Sequence, residues 1–138
     1  MDGALARAWQ VPAFAEFFTA RLLATLVTMR PDSTPHAVPV GVTVDPAAGT
    51  AWVITSGDSA KARNVAAGGA DGVDAAVTQV DGARWATLEG RAFVRADADT
   101  VAEAVRRYAA RYRQPRVNPR RVVVELAVHR VLTGPTLR

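Results

Sequence analysis

The feature that most constrains this sequence is the Asp81-Gly82 pair, which separates two long runs of strand-forming residues. Asp-Gly favours a two-residue turn in which both central residues adopt positive φ, and that turn joins antiparallel strands. Residues 73–80 and 83–94 are therefore predicted to form a β-hairpin. A hairpin of this length needs further strands to bury its apolar face, so the chain is expected to fold around a sheet.

Four further segments have the composition of strands, rich in β-branched residues and bounded by Pro, Asp, Gly and Ser. They are residues 21–30, 36–44, 50–56 and 121–132. In the last of them Val122, Val124, Leu126 and Val128 are predicted to share one face. Six strands with a few short helices predict a mainly β fold, a small closed barrel.

Three helices are predicted between the strands. The first spans about residues 12–19, within an N-terminal helical segment 1–20, and the second begins at Asp58 or Ser59 and runs to Ala67. The third, residues 97–112, is amphipathic, with its arginines expected opposite an apolar stripe. That stripe is Val101, Ala104, Val105, Tyr108 and Tyr112, and the two tyrosines are expected to pack.

The length of 138 residues, 49% of them apolar, suits one domain covering residues 1–138. The absence of cysteine excludes disulfides and thiolate chemistry, and with two histidines a metal site is not expected. The N-terminal segment has acidic residues and no long apolar run, so neither a signal peptide nor a membrane span is predicted. A cytoplasmic protein is expected.

The net charge of +4 is compatible with nucleic acid, a membrane surface or an anionic small molecule as partner. Only 7% of residues are aromatic and no stacking motif is present, which argues against nucleic acid. Sixteen of the seventeen basic residues are arginines. The single lysine, Lys61, therefore stands out as a position that favours an ammonium group.

Lys61 lies in a segment, residues 54–64, that leaves a strand, turns at Gly57 and enters a helix. Hydroxyl groups and free N–H groups at such a corner can cradle a phosphate. A Ser-capped helix carrying a solvated lysine is an equally ordinary interpretation, and the pattern alone leaves both open.

Two runs, residues 23–40 and 54–64, resemble the pyridoxamine 5′-phosphate oxidase-like split β-barrel superfamily when they occur in this order. Residues 79–92 and 107–125 resemble a narrower group within its flavin/deazaflavin oxidoreductases of group B, the mycobacterial deazaflavin-dependent biliverdin reductases. The resemblance implies a six-stranded split barrel that forms a homodimer, with coenzyme F420 held in each of two seams.

The resemblance also implies the residues of that site. The phosphate is expected on Thr55, Ser56, Ser59 and Lys61, and the strand along the ring is expected to be His36, Ala37, Val38, Pro39 and Val40. Relatives often have a smaller residue than Pro39. The partner subunit is expected to approach the cofactor with Gln79, Val80 and Trp85.

The implied reaction is hydride transfer from the reduced deazaflavin to a conjugated acceptor, biliverdin or a similar tetrapyrrole. Because the cofactor supplies the chemistry, few catalytic side chains are expected, and His36 is the one candidate proton donor. A flavin mononucleotide (FMN) enzyme and a non-catalytic cofactor carrier are the alternatives. Carboxylates of the F420 tail would need guanidinium partners, for which the candidates are Arg63, Arg116, Arg120 and Arg121. Glu89 and Glu125 are expected to pair with arginines across the sheet.

Overall fold

The computed structural model of the chain describes residues 3–138, so Met1 and Asp2 of the predicted N-terminal segment and domain lie outside the described residues. Along the described part run four α-helices, α1 to α4, and seven strands, β1 to β7. In chain order they are α1 Ala4–Trp9, α2 Pro12–Phe17, β1 Ala24–Met29, β2 Pro35–Val40, β3 Thr43–Asp45, β4 Thr50–Ser56, α3 Ala60–Ala66, β5 Val73–Asp81, β6 Arg84–Arg95, α4 Ala98–Arg111 and β7 Arg121–Thr133.

The seven strands form one antiparallel sheet in the order β2-β1-β5-β6-β7-β4-β3. Its two edge strands, β2 and β3, are consecutive in the chain and are connected by Gly41 and Val42 alone. The edges are therefore held next to each other by the chain itself, and the sheet curls into a barrel.

The prediction of one strand over residues 36–44 was wrong, because this segment forms two strands, β2 and β3. The predicted total of six strands was therefore wrong as well. The chain bends at Gly41 and Val42, and the Val42 side chain is fully buried. A Cβ at Gly41 would lie only 2.7 Å from Cε2 of Tyr108 and 3.0 Å from Cε2 of Tyr112. The close approach of these two rings from the end of α4 accompanies the division of the predicted strand into β2 and β3.

The predicted hairpin is confirmed. The turn lies one residue later than predicted: Asp81 pairs with Arg84, so Gly82 and Ala83 are the central residues. Gly82 has a φ of +62° and Asp81 does not have a positive φ, so the turn has glycine at its first central position rather than two residues at positive φ. In the β5–β6 pair Val80 lies opposite Trp85, and Thr78 lies opposite Thr87. The hairpin thus fixes which side chains share the outward face of the sheet.

Aromatic residues from the N-terminal helices complete the core. Pro12 occupies the first turn of α2, where its missing N–H costs nothing. Phe14, Phe17 and Phe18 are almost completely buried, and the rings of Phe14 and Phe18 lie 5.0 Å apart. Burial of each phenylalanine side chain contributes about 1.5–3 kcal/mol, so α1 and α2 belong to the barrel's core.

Helix α3 begins as predicted, since the Ser59 hydroxyl accepts a hydrogen bond from the Ala62 N–H. In α4 the expected separation of arginines from the apolar stripe was wrong at two positions. Arg107 lies over the Trp52 ring at 4.5 Å, and Arg111 turns toward the barrel, where the carbonyl oxygens at the ends of other elements need donors.

The expected cross-sheet pairs of the two glutamates are confirmed. Glu89 pairs with Arg130 at 3.6 Å and Glu125 pairs with Arg95 at 3.1 Å. Of the helices in residues 3–138, none has both the length and the apolar character needed to span a membrane.

Candidate functional site

A cavity of about 390 Å³ opens where three parts of the chain meet: the bend between β2 and β3, the end of β4 with the first turn of α3, and the loop after α4. Its lining residues are Pro39, Val40, Gly41, Ile54, Thr55, Lys61, Tyr108, Arg113, Gln114, Pro115, Arg116, Asn118 and Arg121. Four of these carry a positive charge and none carries a negative one. The cavity is therefore suited to an anion.

A larger groove of about 680 Å³ lies on the outward face of β1, β5, β6 and β7. Its charged residues neutralise each other, because Arg91 pairs with Asp74 at 3.4 Å and Arg130 with Glu89 at 3.6 Å. The smaller cavity is therefore the better candidate for binding a charged ligand.

Lys61 distinguishes the smaller cavity. Partial burial lowers the pKa of its ammonium below the usual value. Among residues 3–138 no carboxylate or hydrogen-bond acceptor lies within bonding distance of it. A half-buried cation without a counter-ion is costly to the fold, and a bound anion would relieve that cost.

The turn before Lys61 is held by its own side chains. The Thr55 hydroxyl donates to the Ser59 hydroxyl oxygen at 2.9 Å, and Ser56 donates to an Asp58 carboxylate oxygen at 2.6 Å. The Gly57 N–H donates to the Arg120 carbonyl at 2.8 Å, which ties the turn to the loop before β7. The Ser-capped helix is thus present, yet Lys61 is not simply a solvated residue on it.

The arginines around the cavity divide into two classes. Arg113 and Arg116 have side chains with no hydrogen bond or ion pair among residues 3–138. Arg120 pairs with Asp58 at 2.7 Å, and Arg63 donates to the Asp58 carbonyl at 2.6 Å. Arg121 donates to the Arg116 carbonyl. Arg113 and Arg116 are the guanidinium groups that remain open to a ligand.

Three residues connect the end of α4 to the bend between β2 and β3 by hydrogen bonds. They are Arg111, Tyr112 and Gln79, which we call the Arg111 cluster. Arg111 donates hydrogen bonds to the carbonyls of Ala20 and Val42 and to the side-chain oxygen of Gln79. Burial lowers the pKa of Arg111 and raises that of the Tyr112 hydroxyl.

Tyr112 completes this connection. Its hydroxyl donates to the Leu22 carbonyl at 2.6 Å and accepts from the Val42 N–H at 3.1 Å. Val42 follows the Gly41 bend, and Tyr112 begins the loop that carries Arg113 and Arg116. The Arg111 cluster therefore fixes the end of α4 against the bend between β2 and β3.

The structure brings some of the predicted site residues together. Pro39, Val40, Thr55 and Lys61 line the cavity, as do Arg116 and Arg121. Ser56 and Ser59 lie on the turn before α3, and Arg63 lies within α3. Along β2 the other three predicted ring-side residues extend away from the cavity, with Ala37 exposed and His36 and Val38 half-buried. The His36 Nδ1 atom is buried and has no hydrogen-bond partner within residues 3–138.

The three residues predicted to reach a partner's cofactor differ from each other. Val80 and Trp85 are exposed, at 66% and 38%, and lie opposite each other in the hairpin. Gln79 is completely buried, and its amide bonds Phe17 and Arg111 within the subunit. A cofactor contact by the Gln79 side chain stays a prediction, and its burial speaks against it.

Sequence reasoning missed several lining residues: Gly41, Ile54, Tyr108, Arg113, Gln114, Pro115 and Asn118. A signal for most of them was present, since residues 113–121 are rich in arginine and are interrupted by two prolines directly after a helix. Gly41 inside an apparent strand was a second signal, because such a glycine often marks a close approach of another group.

No three His, Asp or Glu side chains within residues 3–138 lie close enough together to hold a metal ion.

One curated relative is similar over most of the chain. It is the F420H2-dependent biliverdin reductase of Mycobacterium tuberculosis (strain CDC 1551 / Oshkosh), 53% identical over 121 residues, or 88% of this chain and 85% of the relative.

Solved structures with low sequence identity share the fold. A conserved hypothetical protein of Mycobacterium tuberculosis is 21% identical, with a TM-score of 0.74 over 89% of this chain and 82% of the other. A protein described as an F420 reductase is 21% identical, with a TM-score of 0.67 over 85% and 94% of the two chains. The model of the family described as pyridoxamine 5′-phosphate oxidase matches residues 11–133. With that match across the whole barrel, the chain belongs to the pyridoxamine 5′-phosphate oxidase family.

Proposed function

We propose that the protein binds coenzyme F420 and uses its reduced form to reduce biliverdin or a similar linear tetrapyrrole. The observation that carries the proposal is the 53% identity, over 88% of the chain, to a relative named for that reaction. The cavity beside Lys61 supports it independently, because it offers unpaired cations to an anionic ligand.

The residues present fit the cofactor. Its phosphate would be held by Lys61, and by the Thr55 hydroxyl if that group exchanged its hydrogen bond to Ser59 for one to the phosphate. The carboxylates of its glutamate tail would meet Arg113 and Arg116, whose guanidinium groups are suited to bidentate carboxylate contacts. Pro39 and Val40 would lie against the ring. F420 supplies the hydride when it is bound.

The chain's own task is binding and orientation. The apolar wall of Pro39, Val40, Ile54 and Tyr108 excludes water from part of the cavity, which strengthens the electrostatic contacts there. The arginines at its rim also suit the propionates of a bilin. His36, the candidate proton donor from the sequence, lies outside the cavity lining, and its Nδ1 atom is buried, so the geometry does not support that role.

An FMN enzyme is the second candidate, because FMN also presents a phosphate to the turn of Thr55 to Lys61. The two unpaired arginines beyond the turn favour F420, which has further carboxylates for them, whereas FMN has none. Titration of the purified protein with each cofactor separates the two.

We propose further that the protein is a homodimer, joined through the outward face of the sheet. Four of the exposed large apolar residues lie around this face: Leu23, Val80, Trp85 and Leu132. Val80 lies opposite Trp85, and Leu132 lies opposite Thr87, two residues further along β6. Leu23 directly precedes β1, whose first residue pairs with Gln79. A contiguous apolar patch of this kind usually marks an interface.

The dimer is tested by light scattering on the purified protein. The expected mass is twice 14.6 kDa, and replacing Val80 by Asp should shift it toward one subunit by placing a charge within the apolar patch. Ala83→Asp in the hairpin turn is the matched control and should leave the mass unchanged. A wild-type mass of one subunit would contradict the proposal.

The activity is tested by incubating the protein with reduced F420 and biliverdin and following the return of oxidised deazaflavin absorbance. We expect oxidation of F420 that depends on both the protein and the bilin. Protein that binds F420 and leaves biliverdin unreduced would disprove the assigned reaction while keeping the cofactor.

A further inference from the structure

A carboxylate lies in the turn between Thr55 and Lys61, the two residues to which we assign the phosphate, although it does not itself line the cavity. Asp58 accepts a hydrogen bond from the Ser56 hydroxyl at 2.6 Å and one from Arg120 at 2.7 Å. Its backbone carbonyl accepts a third from Arg63 at 2.6 Å. Three donors around the turn are thus already used by one residue, whereas the Lys61 ammonium has no partner among residues 3–138.

The Asp58 charge acts against any anion that binds at this turn. An anion there either competes with Asp58 for Ser56 and Arg120 or remains near a like charge. In both cases the unfavourable contribution of Asp58 to the binding free energy increases with the negative charge of the anion.

Phosphates of cofactors differ in this charge. A phosphodiester carries one negative charge, whereas a phosphomonoester carries about 1.5 to 2 at neutral pH, because its second pKa is about 6. The phosphate of F420 is a diester and that of FMN is a monoester. A carboxylate beside the phosphate site therefore penalises FMN more than F420.

We propose that Asp58 is a specificity-determining residue, which disfavours doubly charged phosphomonoesters relative to singly charged phosphodiesters at the Lys61 cavity. The inference rests on the proposed binding of F420 and deepens it, since it explains how one fold selects between two cofactors that both bear a phosphate. The residue acts by its charge and requires no movement of the backbone.

The test uses two probes that differ in this one property: FMN and its methyl phosphodiester, which have the same ring and chain. Each is measured as a competitor of F420, so that weak binding still yields a ratio of affinities. In Asp58→Asn we expect the affinity for FMN to rise about threefold more than that for the ester, the size of one screened charge contact at several ångströms. Asp58→Glu, which keeps the charge, should keep the wild-type ratio.

Asp32→Asn is the matched control. Asp32 is also an exposed carboxylate with a short hydrogen bond, 2.6 Å from the Thr34 hydroxyl, but it lies in the turn between β1 and β2. The substitution removes the same charge at a distant place and should leave the ratio unchanged. A second readout is pH: the difference in this ratio between the wild type and Asp58→Asn should shrink as the pH falls from 8 to 5.5 and FMN loses its second charge.

Equal changes for both probes in Asp58→Asn would overturn the proposal and leave Asp58 as a residue that only shapes the turn. A ratio that changes as much in Asp32→Asn would also overturn it. Wild-type protein that fails to bind F420 would instead defeat the proposed function, so the two failures are distinguishable.

Discussion

The Arg111 cluster and the Lys61 cavity are neighbouring polar regions that differ in whether their polar side chains have hydrogen-bond partners. In the cluster, the Arg111 guanidinium, the Gln79 amide and the Tyr112 hydroxyl all have partners within the subunit. At the cavity Lys61, Arg113 and Arg116 have side chains without partners among residues 3–138. Buried polar groups that are satisfied internally stabilise a fold, whereas partly buried charges left unpaired mark a place for a ligand.

Replacing Arg111 by Ala should have the largest effect. The change leaves the Ala20 and Val42 carbonyls and the Gln79 side-chain oxygen without their donor, at a cost of about 3 kcal/mol in the free energy of unfolding. Urea denaturation measures it. The control is Arg113→Ala, two residues further along, which should leave stability within about 0.5 kcal/mol. Similar losses for both would break the distinction between the two regions.

Replacing Gly41 by Ala should affect both regions at once. The added Cβ would meet the rings of Tyr108 and Tyr112 and displace them from the bend, with a loss of stability of about 1–3 kcal/mol. Because Gly41 and Tyr108 also line the cavity, cofactor affinity should fall in the same variant. Gly3→Ala, where a Cβ meets nothing within 4 Å, is the control for the backbone substitution. Unchanged affinity in Gly41→Ala would separate the bend from the binding site.

The pH dependence of binding should depend on Lys61. Burial lowers the pKa of its ammonium, so rising pH neutralises Lys61 before an ordinary lysine would lose its charge. Affinity for an anionic cofactor should then fall by up to about tenfold per pH unit above that lowered pKa. Fluorescence titrations between pH 7 and 10 measure the effect. Lys61→Arg keeps its charge over this range and should abolish the fall, and a variant that follows the wild-type curve would exclude Lys61 as its source.

Replacing Tyr112 by Phe should have the smallest effect, about 1 kcal/mol in the free energy of unfolding. The ring remains, while the hydrogen bonds to the Leu22 carbonyl and from the Val42 N–H are lost. Thermal unfolding measures it against Tyr108→Phe, whose ring lies against the same bend. A loss as large as that of Arg111→Ala would mean that the hydroxyl, rather than the guanidinium, is the main connection.

Patterns local in the chain predicted much of the fold. The β5–β6 hairpin, the Ser59 cap and the bounds of β4 all follow from neighbouring residues and are as predicted, although the hairpin turn lies at Gly82-Ala83, one residue later than expected. The bend at Gly41 was missed because the residues that pack against it, Tyr108 and Tyr112, lie about seventy residues away in sequence. A local sequence pattern cannot show a contact between residues so far apart in the chain.

The candidate site was predictable to a similar extent. Lys61 was recognised because it is the only lysine, and Thr55 because it precedes a turn into a helix. Gln79 was assigned to the partner's cofactor by resemblance alone, and its sequence position gives no sign of the buried contact with Arg111. Arg113 was missed because, among sixteen arginines, only the fold distinguishes the unpaired from the paired.

The central claim is that the Lys61 cavity binds F420. Titrating the protein with F420 while following deazaflavin fluorescence tests it most directly, in the wild type and in Lys61→Ala. We expect micromolar or tighter binding, about −8 kcal/mol, for the wild type and a loss of about 1–3 kcal/mol of binding free energy in the variant, with no loss of stability. Equal affinity in the two proteins would remove Lys61 from the site, and no binding by the wild type would contradict the account.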